Sequence, residues 1–127
     1  LEMGAFKTAI PLMDESDLSY AQKLLDAFHA ERNPQRYDTL NLQFHLALYA
    51  PCNNDVALSM IDQLHANSDR YLRPYYPKED DSAFKSIEEH QALIDACHSK
   101  DAELACAVLR THLESTKTLL LGSSLLN

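Results

Sequence analysis

Between Pro34 and Ala50, the residues Tyr37, Leu40, Asn41, Phe44, His45 and Leu48 recur at i, i+3, i+4 and i+7. That period belongs to an α-helix with one face turned inward. The face is not wholly apolar, because Asn41 and His45 stand in it one turn apart, roughly 6 Å between Cβ atoms. A buried polar group without a partner costs about 1–3 kcal/mol, so each of these side chains must be bonded to something. Any fold for this chain has to bury the helix and satisfy both groups. Separate hydrogen bonds in the core would do so, and so would one small ion held by the pair.

The same period runs through the rest of the chain. Near the start, Phe6, Ala9 and Ile10 share a helical face that Pro11 closes. Asp14 or Ser16 caps a second helix to about Arg32, with Leu18, Ala21, Leu24, Leu25 and Phe28 as its stripe. His29 lies beside that stripe and reads as a helix-end surface residue. Asn33-Pro34 is a start signal for the third helix, and Pro51 ends it. Asn53 or Asn54 caps a fourth, from about Asp55 to Tyr75, with Leu58, Ile61, Leu64, Ser68, Tyr71 and Tyr75 facing in. A fifth runs from about Ser82 to His98 on Phe84, Ile87, His90, Ile94 and Cys97, with Glu88 and Glu89 facing solvent. Asp101 caps the sixth, about Ala102 to Leu121, whose inward side carries Leu104, Ala105, Val108, His112, Ser115 and Leu119.

Two Gly and five Pro among 127 residues are too little turn material for a sandwich of short strands. The expected fold is all-α: one domain, a bundle of about six helices. A net charge of −8 argues against this chain gripping phosphates itself. The chain lacks an apolar run of about 18 residues, so no membrane span is expected. Cys52, Cys97 and Cys106 are odd in number and not spaced as a disulfide framework, which suits free thiols in a reducing cytoplasm.

His45, His90 and His112 each interrupt an otherwise apolar face, on three different helices. A common explanation is convergence on one divalent cation, since imidazole suits Zn²⁺, Ni²⁺, Cu²⁺, Fe²⁺ or Mn²⁺, with zinc or nickel foremost. Asn41 would add a neutral carbonyl oxygen. Around this centre Arg70 and Arg73 offer guanidinium groups that match a carboxylate. Ser86, one turn before His90, and His65, beside the fourth stripe, are further candidate effector contacts. Two other readings remain open. Three histidines with a free coordination position can activate water in a metal-dependent hydrolase or lyase, although no well-placed general base is evident. The histidines can also be hydrogen-bonded core residues of a metal-free helical interaction module.

The pattern Asn41-Leu42-Gln43-Phe44-His45, Glu89-His90 and Thr111-His112-Leu113, with gaps of 45 and 22 residues between its histidines, resembles a known family. It is similar to the FCD domain, the C-terminal effector-binding domain of the FadR branch of GntR-type bacterial transcription regulators. Asn54 to Leu64, Ile94 to Ala96 and Asp101 to Ala105 also look like that family. The resemblance implies an antiparallel bundle of about six or seven helices around a central cavity that encloses a divalent metal and a small carboxylic-acid effector, without enzymatic activity. It implies Asn41, His45, His90 and His112 as metal ligands, Asn41 standing where the family most often has Asp. It further implies a homodimer, and a winged helix-turn-helix DNA-binding domain preceding residue 1 in the full protein.

Overall fold

The computed structural model describes residues 1–31, 34–72 and 80–125, and their regular structure is helical throughout. The helices are α1 (Glu2–Ala9), α2 (Glu15–Ala30), α3 (Pro34–Tyr49), α4 (Asp55–Leu72), α5 (Asp80–His98) and α6 (Ala102–Leu125). Side chains define several starts. The Asp14 carboxylate accepts from the Asp17 N–H at 2.9 Å, and Asp17 reciprocates with the Asp14 N–H at 2.9 Å, a closed capping box. Asn54, not Asn53, caps α4 through the Ala57 N–H at 3.1 Å, and Asp101 caps α6 through the Leu104 N–H at 3.1 Å. Pro11 and Pro51 each stand second in a short 3₁₀ turn that continues the helix before it, over Ile10–Leu12 and Ala50–Cys52. Asn53 and Lys100 take left-handed backbone angles, φ 56° and 60°, where the chain reverses. The expected cap at Asn33 and the expected end at Tyr75 lie outside the described residues.

Three-residue links return α2 onto α3 and α5 onto α6, as short connections between neighbouring helices require. α2 also packs on α5, and α1 packs against α3, α4 and α6. The core is built from Phe6, Ile10, Leu25, Phe28, Phe44, Leu48, Tyr49, Leu93, Ile94 and Leu109. Gln22 on α2 and Gln91 on α5 exchange amide hydrogen bonds at 3.2 and 3.1 Å. The Lys100 ammonium donates to the Met13 carbonyl, tying the α5–α6 turn to the α1–α2 link.

Two side chains expected to face inward do not. Leu64 is 55% exposed and Leu104 49% exposed. On α4 the buried line runs through Ile61 to His65, which Glu2 holds by a hydrogen bond, and this puts Val56, Met60 and Leu64 outside. On α6 the inward line is Ala105, Leu109 and His112, with the buried Leu109 on a face rotated away from Leu104. α6 also continues to Leu125, beyond the expected Leu121. Among the described residues, no helix is long and apolar enough to cross a membrane.

Candidate metal centre

α3, α5 and α6 each deliver one imidazole to the same place. His45, His90 and His112 are 2%, 2% and 6% exposed. One ring nitrogen from each lies within 4.8 Å of the other two. The ring centroids are 5.5 Å apart for His45 and His90, 4.5 Å for His90 and His112, and 5.4 Å for His45 and His112. Phe28 and Phe44 press their edges on His90 at 5.1 and 5.3 Å, so the cluster has apolar walls.

The hydrogen bonds behind these rings decide which nitrogen each can offer. His112 Nδ1 is 2.9 Å from Glu89 Oε2. A carboxylate only accepts, so Nδ1–H donates and Nε2 keeps its lone pair for the cluster. On His45 the chain of bonds is longer. The Tyr49 hydroxyl donates to Glu2 Oε1 at 2.9 Å. Its one proton being committed there, its oxygen faces His45 Nδ1, 3.4 Å away, as an acceptor. His45 is thereby set in the same tautomer, with Nε2 bare. Glu2 Oε1 also meets His65 Nε2 at 3.1 Å.

Electrostatics favour a neutral His45 beside a charged Glu2. Burial, and then the neighbouring His90, His112 and His65, hold the His45 imidazole well below the ordinary histidine range. Its lone pair is therefore available near neutral pH. Burial pushes the Glu2 carboxyl up, but hydrogen bonding and charge from His65 and the Tyr49 hydrogen bond outweigh it, leaving Glu2 below its usual value. Burial and the adjacent Glu2 charge push the Tyr49 phenol well above 10.0.

The donor set fits a divalent cation. Three nitrogens bonded to one zinc at 2.0–2.1 Å stand at most about 3.6 Å from one another, so the rings must draw inward from the present spacing to close the site. Asn41 supplies a second test of fit. Its Oδ1 is buried and has no hydrogen-bond partner among the described residues. It belongs to the residue one turn before His45, as a fourth, oxygen ligand would require.

The other expected contacts fall differently. His65 is half-buried, with its ring 6.2 Å from His45, and it is hydrogen-bonded to Glu2. Arg73 lies outside the described residues, as do the side chains of Arg70 and Ser86. Two expectations are corrected. Glu89 does not face solvent: it is half-buried and bonded to His112. His29 is not a plain surface residue: it is half-buried, its ring centroid is 6.3 Å from His90, and burial lowers its pKa. The sequence held a hint for Tyr49, which stands one turn after His45 on the same face. It held none for Glu2, whose bond to Tyr49 spans 47 residues.

A cleft of about 270 Å³ between α5 and α6 is lined by Glu89, Ala92, Ala107, Val108, Thr111 and His112. It gives the Glu89–His112 pair an opening toward the surface.

Comparison with known proteins agrees with this architecture. The chain's fold is similar to that of E. coli McbR/YncC, with a TM-score of 0.80 at 23% sequence identity, over 94% of this chain and 61% of that one. The chain thus spans less than two thirds of that protein. Among curated proteins none matches the chain. The family model for the FCD domain matches residues 1–115, which takes in all three histidines of the cluster. With its helical fold and that match over nearly its whole length, the chain belongs to the FCD domain family.

Proposed function

We propose that this FCD domain senses a small carboxylic acid through a divalent metal, and that it governs DNA binding by a winged helix-turn-helix domain elsewhere in a GntR-type regulator. The family is one of regulatory domains of transcription regulators, not of enzymes. The convergence of three buried imidazoles from three helices carries the reading.

His45, His90 and His112 hold the cation, zinc or nickel, and Asn41 adds its carbonyl oxygen. Glu89 and Tyr49 keep His112 and His45 in the tautomer that presents Nε2. A bound dication supplies a fixed positive centre that an effector carboxylate can join. Because α3, α5 and α6 each contribute a ligand, occupancy links their relative positions. An effector then biases the bundle only by its differential affinity for two arrangements. In a homodimer that bias would reset the spacing of two DNA-binding heads.

Elemental analysis and calorimetry with Zn²⁺ and Ni²⁺ test the centre. One equivalent of metal per chain is expected, with affinity falling at least about 100-fold in His90→Ala. A wild-type chain that takes up no transition metal would favour the metal-free reading. A thermal-shift screen of small carboxylic acids, with and without metal, then tests the effector. Stabilisation that needs both components supports the proposal, and carboxylate binding indifferent to metal counts against it.

A further inference from the structure

Beyond the three clustered imidazoles, one more histidine turns its tip into the protein. His29 is half-buried on the last turn of α2. Its Nε2 is nonetheless buried and has no hydrogen-bond partner among the described residues. The preceding residue, Phe28, packs edge-on against His90, which pins the end of α2 to α5. The His29 ring centroid lies 6.3 Å from that of His90. His29 does not belong to the group of nitrogens within 4.8 Å of one another. It therefore stands too far out to share the cation and close enough to touch a molecule bound to it.

The geometry points to His29 as a direct contact for the effector, its Nε2–H donating to a second polar group on a metal-bound carboxylic acid. This rests on the metal-and-carboxylate reading above and narrows the ligand class. A simple monocarboxylate has nothing to offer the donor. An acid with a second oxygen a few bonds from the first does. A buried donor that gains an acceptor only in the complex discriminates strongly, because its desolvation cost stays unrecovered with the wrong ligand.

Calorimetry on the zinc-loaded chain with acetate and with malonate tests the assignment. Malonate should bind the wild-type protein about ten-fold or more tightly than acetate. In His29→Ala most of that ratio should vanish, with zinc affinity and acetate affinity each unchanged within about two-fold. His29→Gln, which keeps a donor of similar reach, should restore part of it. An equal malonate-to-acetate ratio in wild type and His29→Ala overturns the assignment, as does a wild-type chain that does not distinguish the two acids. Loss of zinc affinity in His29→Ala overturns it too, since His29 would then serve the metal or the fold. The zinc titration without acid separates these results from failure of the metal site itself. If wild type binds no zinc, the broader reading falls and this one with it.

Discussion

The chemistry of single residues here depends on what stands behind them. Glu89 touches only the far side of His112, yet it fixes which nitrogen that ring presents. Glu89→Gln keeps an acceptor but loses the charge, and zinc affinity by calorimetry should fall about 10–100-fold. Glu2 sets an acid limit on stability. Its carboxyl sits below the usual range in the folded chain, so the folded state binds its proton less readily than the unfolded state does. The stabilisation is complete above the unfolded carboxyl pKa and is lost as pH falls through the folded one. Urea titrations across that acid range should therefore show a shallower pH dependence in Glu2→Gln than in wild type. Cys97 is buried, and its thiol is pushed up to about 12, whereas Cys52 and Cys106 are half-exposed. N-ethylmaleimide followed by mass spectrometry should label Cys52 and Cys106 in the native chain. Cys97 should react only after unfolding.

At the scale of the helix, most of the fold was legible. Phe6, Leu18, Leu25, Phe28, Phe44, Leu48, Ile61 and Ile94 fall in the core as their spacing requires. Asp14, Asn54 and Asp101 cap as their residue types suggest. Asp14→Ala removes the half of the α2 capping box that Asp14 accepts, while the backbone N–H of residue 14 can still donate to Asp17, and should cost about 1 kcal/mol in a denaturant titration. What escaped the sequence was rotation. Leu58, Ile61 and Leu64 fit one stripe on α4, but Ile61 and His65 fit another, and local pattern cannot choose between them. The choice is made by the Glu2 carboxylate, from an element far away in the chain. On α6, the small Ala105 and the buried Leu109 set the inward line, and that too is fixed by what α5 and α1 place against it.

For the whole molecule, the candidate centre was legible for a specific reason. A histidine in an apolar stripe is conspicuous against its background, and three of them invite one cause. The residues around the centre were hidden, because Glu2, Tyr49 and Glu89 look ordinary until tertiary structure brings them to the rings. The cluster also joins helices that are remote in sequence, so a ligand there acts on global stability. Zinc at 100 times its dissociation constant should stabilise the fold by about 2.7 kcal/mol, read as a rise in melting temperature. His112→Ala should abolish most of that rise.

The packing of α1 on α6 has a bearing on how the chain is made. A polypeptide leaves the ribosome from its first residue, so Phe6 and its neighbours emerge long before the helix that covers them. Until that helix follows, α1 rests on α3, α4 and the Ala50–Cys52 turn, and the site has two of its three imidazoles. Nascent chains arrested ahead of Ala105 should thus be open to protease in the α1 region, and complete ones closed.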